Sequence, residues 1–189
     1  MIEDHGLQEL LNLAWKMAID GGRYRDNAMA HPALVTAGPD VRVISLRKAI
    51  REERALYFHG DLRSKKVAQI RSNPHTIWHT WDREQHLQLH FAGNTTIHTN
   101  DKIAQSLWEE ESLDELVFYF KADPPGTLSE RPTSGLDLDK INEDEARRHF
   151  AAFRTEVEEI LIHQLRPEEE IRARFFFDGA EFHGHWLVP

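Results

Sequence analysis

The sequence predicts a mainly β protein with flanking helices, and three observations carry that reading. Helical apolar spacing is confined to a few stretches; from residue 31 the spacing switches to a period of two; and the alternating runs are short, β-branched or aromatic, and separated by turn residues. Such runs meander into an antiparallel barrel or sheet.

Leu7, Leu10, Leu11, Ala14, Met17 and Ala18 recur at three- and four-residue steps, so Gly6 to Ile19 reads as an amphipathic helix stopped by Gly21 and Gly22. The strand candidates follow as HPALVTAG, DVRVISLRKA, RALYFHG, HTIWHTW, HLQLHFAG, TTIHTN, IRARFFFDG and AEFHGHWLVP. A continuous strand from Val41 to Arg47 would place Arg42 on one face with Ile44 and Leu46, and Arg47 on the other with Val43 and Ser45. Two helices interrupt the pattern. One is DLRSKKVAQIRSNP, where Val67 and Ile70 are helically spaced and Asn73–Pro74 closes the segment. The other starts at Asn142, with Glu145 three residues on as a near capping box, and runs through Phe150, Phe153, Val157, Ile160, Leu161 and Gln164. Between them, residues 123–140 are rich in Pro, Gly, Ser and Thr and read as an irregular loop of functional length. No repeat or composition shift divides the chain, so residues 1–189 read as a single domain.

Composition narrows the function. At 189 residues the chain can bury a core without cross-links, and with no cysteine it has no disulfide, thiolate metal site or cysteine nucleophile. A net charge of −9 argues against general nucleic-acid binding, and any bound anion belongs in a local basic pocket. The acidic start MIEDHGLQELL and the lack of an apolar run near ~18 residues predict a cytoplasmic protein away from membranes. The acidic runs Glu109–Glu111 and Glu168–Glu170 read as solvated faces, and Trp78, Trp81 and Trp186 as core. The twelve histidines suggest a metal through His86, Gln88 and His90 on one strand and His183 and His185 on another; without a ligand signature they read as surface or hydrogen-bonding groups, with no metal.

Positive charge concentrates in one place: Arg63, Lys65, Lys66 and Arg71 lie within nine residues, and Ser64–Lys65–Lys66 opens a helix whose free N–H groups favour an anion. Two arginines on the strand 41–47 are costly to bury unless they too meet an anion.

The strand Arg42-Val43-Ile44-Ser45-Leu46-Arg47, then LYFHG, then Ser64-Lys65-Lys66-Val67-Ala68-Gln69-Ile70 with Asn73–Pro74, resembles the pyridoxamine 5′-phosphate oxidase-like, FMN-binding split-barrel family. HLQLHFAG is similar to that family's Q-V-x-V-x-G strand, and IRARFFF with the final WLVP to its last two strands, so the resemblance covers residues 7–100 and 170–189. It implies a split β-barrel and a homodimer holding FMN at the subunit interface. Arg42, Lys65 and Lys66, with Ser64 in the turn, would hold the phosphate. Arg47 and the backbone of Val43, Ile44, Ser45 and Leu46 would run along the ribityl chain and ring edge. His59 and Gly60 would touch the flavin, Gln88 would hydrogen-bond it, and Arg174 would contact it late in the chain. The family's substrate arginine and histidine are replaced by Glu170 and Arg172, and its substrate-phosphate set has no counterpart between Trp108 and Leu138. The resemblance therefore implies an FMN-dependent oxidoreductase related to the oxidase, with a different small-molecule substrate or electron donor. A non-catalytic flavin binder or sensor and a haem-binding relative are the alternatives. No catalytic acid or base is identified; His59, His90 and Arg172 are candidates by location only.

Overall fold

In the computed structural model, which describes residues 6–166 and 169–189, nine strands pair into one antiparallel sheet with helices packed on it. Met1–His5 and Glu168, which belong to the acidic stretches noted above, lie outside the described residues.

Helix α1 (Leu7–Arg23) buries Leu10, Leu11, Ala14, Trp15, Met17 and Ala18. It runs through Gly21 and Gly22 rather than stopping before them. A Cβ at Gly21 would fall 2.6 Å from the Cβ of Met29, so this glycine lets the helix seat against the 3-10 turn Ala28–Ala30. The strands are β1 (Ala33–Thr36), β2 (Asp40–Val43), β3 (Lys48–Ile50), β4 (Ala55–Asp61), β5 (His75–Asp82) and β6 (Leu87–His98). After them come β7 (Phe150–Arg166), β8 (Glu169–Phe177) and β9 (Phe182–Leu187). Helices α2 (Lys65–Ser72), α3 (Lys102–Glu110), α4 (Leu113–Leu116) and α5 (Glu143–His149) lie between them. The order is β2-β1-β5-β6-β7-β4-β3, with β8 added on β7 and β9 on β8.

The ends of that order, β2 and β3, are neighbours in sequence. Residues 44–47 are not a strand, so the continuous Val41–Arg47 strand expected from alternation is broken. Instead Ile44 N–H donates to Pro32 C=O and Leu46 N–H to Ala30 C=O on one side, while Arg47 N–H donates to Tyr57 C=O on the other. The segment thus crosses from one sheet end to the other, and strand pairing stays open there. HLQLHFAG and TTIHTN are in turn one strand, β6, which begins after His86; that residue sits at φ 51° in the preceding turn, off the strand face assigned to it.

The largest departure from sequence expectation is β7. Helix α5 ends at His149, and Phe150–Arg166 is a seventeen-residue strand, not a helix. Its register against β6 slips at Ala92/Gly93, where Gly93 faces Val157 and Ala92 faces Glu159, leaving Glu158 as an extra residue. A bulge flips the inward parity. Phe153 and Val157 before it and Ile160 and Gln164 after it therefore all point inward, and steps of four, three and four imitate a helix.

The main core gathers Trp15, Leu34, Phe58, Trp78, Phe91, Phe153 and Phe175, with Phe58 stacked on Phe153 at 4.4 Å. A second core behind β4 and β7 unites Tyr57, Leu107, Trp108, Tyr119 and Phe150. Trp78 is wholly buried as expected, whereas Trp81 and Trp186 are 43% and 52% exposed, because Trp81 lies on the outward face of β5 and Trp186 on the terminal strand β9. Trp78 Nε1 donates to Thr155 Oγ1 (3.0 Å), which shares a 2.7 Å bond with Thr95 Oγ1, itself 2.7 Å from Thr76 Oγ1. Thr155→Val keeps the shape and orphans the buried indole N–H, so urea melts should show a loss of ~1–3 kcal/mol; unchanged stability would mean that this chain does not support the core. Among the described residues no helix is long and apolar enough to cross a membrane.

Candidate functional site

The structure sorts the sequence-predicted site residues into three places. The first is the start of α2. Ser64 precedes the helix without capping it; its hydroxyl donates to Asp61 C=O (2.6 Å) and accepts from Lys66 Nζ (2.8 Å). Lys66 lies across Gly60, where a Cβ would come within 2.7 Å of its Cε, so a side chain there would displace the ammonium from this position. Burial pushes Lys66 down to about 8, with Arg42 adding to the depression and Asp61 opposing it. On β2, Arg42 donates to Thr36 Oγ1 (2.9 Å) and Gln69 Oε1 (3.0 Å). Asp40 Oδ2 closes the cluster, 3.0 Å from Arg42, 3.2 Å from Lys65 Nζ and 3.0 Å from Gln69 Nε2; the Gln69 and Lys65 bonds hold its carboxyl at about 2.

Of the four basic residues of the stretch, two have structural work. Arg63 pairs with Asp61 and donates to the carbonyls of Lys121 and Ala122, and Arg71 sits in the last turn of α2, where the helix end favours a cation. Arg42 and Lys65 share one carboxylate, Asp40, and the acid near Lys66 is Asp61, already paired with Arg63, so Arg42, Lys65 and Lys66 leave a balance of two positive charges. A phosphate monoester carries roughly −1.5 to −2 at neutral pH. The donor set fits the phosphate end of FMN in charge, in its spare N–H groups and in the cradle at Gly60.

The second place is the opposite face of β4. Arg47 donates to Glu111 Oε2 (3.1 Å) and Glu115 Oε2 (2.6 Å), contacts across more than sixty residues of sequence. His59 Nδ1 lies 2.5 Å from the Tyr119 hydroxyl and Nε2 lies 3.1 Å from Glu111 Oε1 without hydrogen-bond alignment. Burial lowers the His59 imidazole despite Glu111, so it is neutral, and burial raises the Tyr119 phenol well above its ordinary range. Burial alone would raise Glu111, but His59 and Arg47 outweigh it and hold the carboxyl below its usual value; Arg47 does the same for Glu115. Arg47 Nε and His59 Nε2 are buried without a hydrogen-bond partner.

The third place is the outward face of the sheet. Gln88 pairs with His90 there (3.0 Å), and Arg174 reaches Glu159 (2.6 Å). From Arg42, three strand steps through Leu34 and Trp78 reach Phe91, and Gln88 lies three residues further along β6, roughly 17 Å away in all and on the other face. Val43 is exposed, Ile44 and Ser45 are half-buried, and Leu46 is core, so Leu46 can offer a ligand only backbone; its N–H, like that of Ile44, is already used. One chain therefore assembles Arg42, Gly60, Ser64, Lys65 and Lys66, and leaves Arg47 with His59, and Gln88 with Arg174, apart from them.

Comparison with known proteins decides what this site belongs to. Residues 20–99, which contain β1 to β6 and the whole α2 cluster, match the family model described as pyridoxamine 5′-phosphate oxidase, FMN-binding domain. This stretch belongs to that family. Among solved structures, a pyridoxamine 5′-phosphate oxidase-related, FMN-binding protein from Nostoc punctiforme PCC 73102 superposes with a TM-score of 0.68 at 21% identity, covering 92% of this chain and 95% of that one. PhzG from Burkholderia lata 383, solved with tetrahydrophenazine-1-carboxylic acid, gives 0.67 at 16% identity over 97% and 90%. A general stress protein 26 homologue from Jannaschia gives 0.54 at 12% over 83% and 79%. At these identities the likeness is one of fold, and the shared fold is the split barrel. No curated protein sequence matches the chain.

Sequence reasoning missed Asp40, Gln69, Glu111, Glu115 and Tyr119. Asp40 was within reach, two residues before Arg42 on the same strand face, and Gln69 lies inside the Ser64–Ile70 motif. The other three meet Arg47 and His59 only through the fold. Among the described residues, no group of three or more His, Asp or Glu could hold a metal ion.

Proposed function

We propose that the protein is an FMN-dependent oxidoreductase of the oxidase-related kind, working as a homodimer on a small molecule other than pyridoxal phosphate. The observation that supports it best is the α2 cluster: Arg42 and Lys65 on one carboxylate, with the half-buried ammonium of Lys66 lying over a glycine. Arg42, Lys65 and Lys66 would hold the phosphate, and bound flavin would supply hydride or electron transfer. A partner subunit gives Gln88 and Arg174 a route to a flavin that their own α2 cluster does not. The outward face they share carries exposed Val41, Val43, Trp81 and Phe176, with His79 Nδ1 and Arg172 Nε buried and unpartnered, the features of a surface awaiting cover. The change of substrate is supported by charge. Arg47 is neutralised by two carboxylates, and Glu170 contacts His163 (2.5 Å) where the oxidase carries a substrate arginine.

An absorption spectrum of the protein as purified, with mass identification of what denaturation releases, tests the proposal. The expected result is flavin bands and released FMN in near one-to-one ratio per chain. A colourless protein that also fails to take up added FMN would overturn it, and a Soret band would move the reading to haem.

A further inference from the structure

Beside Glu111, which contacts Arg47 and His59, the fold leaves an open cavity of about 430 Å³, between α3, α4, the turn Val117–Tyr119 and the start of α5. It falls within the size range of small-molecule sites, ~300–1,000 Å³. Trp108, Leu116, Val117 and Phe120 form its apolar wall, and Leu113 and Leu138, 84% and 64% exposed, stand at its mouth. Its charged lining is unequal: Glu109, Glu111 and Glu143 against one guanidinium, Arg147. That cation is already engaged, bonded to Glu143 (3.2 Å) and lying 5.0 Å over the Trp108 ring. Glu111 is shared between the cavity and the buried cluster, where Arg47 binds Glu111 and Glu115, Arg25 also acts on Glu115, and His59 is held neutral.

We infer that this cavity is a binding site for a compact, apolar-bodied cation such as an arylalkylamine, and that the site selects against anions of the same shape. An aromatic or aliphatic body replaces water against Trp108, Leu116 and Phe120, and an ammonium group at the Glu109–Glu111 side offsets the surplus carboxylate. A carboxylate or phosphate in the same place meets like charge with no free cation to answer it. Glu111 also touches Arg47 and His59, so if a flavin ring reaches Arg47 the bound molecule lies beside it as substrate; this last step rests on the flavin proposal, while the binding preference does not.

Benzylamine, benzyl alcohol and benzoate differ chiefly in charge and serve as probes. Calorimetric titration into the full chain, with and without added FMN, is expected to rank benzylamine at least tenfold tighter than benzoate, with benzyl alcohol between. Glu109→Gln, an exposed change that spares the fold, should weaken benzylamine severalfold and leave benzyl alcohol unchanged. Val117→Trp should abolish all binding by filling the cavity, its fold checked by an unchanged melting transition. Equal or tighter binding of benzoate, or no binding of any probe, overturns the inference. FMN uptake without amine binding would sink the cavity assignment alone, and amine binding without FMN uptake would sink the flavin proposal alone.

Discussion

Lys66→Ala is expected to weaken FMN retention ~30- to 150-fold, the ~2–3 kcal/mol that a charge-assisted hydrogen bond contributes when one partner is removed. The reason is local. Lys66 Nζ spends one donor on Ser64 Oγ and is held over Gly60 in a setting that disfavours its charge, pushing it down to about 8. An anion there restores the charge that burial disfavours, so binding and protonation support each other. FMN affinity should therefore be flat between about pH 7 and 8, where the phosphate keeps its second charge, and fall as pH rises above 8, because above that value the free protein must first take up a proton. Lys66→Ala should lose this dependence together with the affinity. Lys121→Ala, whose ammonium faces Phe118 at 5.7 Å, should change neither. Equal FMN dissociation constants for wild type and Lys66→Ala would remove α2 as the phosphate site.

The same arrangement shows what the sequence could convey. The position of α2 and several of the strands follow from helical spacing and alternation, while the grouping of Arg42 with Lys65 and Lys66, which lie on separate elements, follows from the family resemblance. Burial of Trp78 follows from alternation too, since Thr76, Trp78 and Thr80 share the inward face of β5. What failed did so where the fold breaks a local period. The Ala92/Gly93 bulge makes β7 look helical, and the sequence of β7 contains no mark of a bulge whose cause lies in β6. Residues 44–47 alternate like a strand, yet their partners are Ala30, Pro32 and Tyr57 on two different sheet ends.

The acids illustrate a second limit. Glu109–Glu111 reads as a solvated run, and Glu109 and Glu110 do face solvent, but Glu111 is only 11% exposed in its side chain and Glu115 follows one helical turn later. Nothing within residues 102–116 signals a buried cation for them. Arg47 arrives from the other end of the domain-length contact, so the expectation that Arg47 lies free along a flavin edge competes with an ion cluster that only the fold reveals.

Arg47→Ala is expected to destabilise the protein by about 3–5 kcal/mol at neutral pH, the usual cost of leaving a buried charge without its partner. Most of this belongs to Glu111, since Glu115 is 36% exposed and water screens it. The pH dependence identifies the cause. In the wild type both carboxyls sit below their ordinary 4.5, so their contribution is complete above about that pH and is lost as pH falls through the lower folded values. Without Arg47, burial pushes Glu111 the other way, and the penalty appears as pH rises through about 4.5 and upward. The stability difference between wild type and variant should thus be small near pH 3 and grow toward neutrality. His59 is the one neighbour able to answer by taking up a proton, because Arg47 is among the causes of its depressed value. Adding His59→Gln to Arg47→Ala should therefore deepen the loss at neutral pH and reduce it in acid, where a buried imidazole with a lowered pKa costs stability as it charges. Urea melts across that range provide the measurement, and a loss that is the same at every pH would mean that Arg47 matters for its packing and not for its charge.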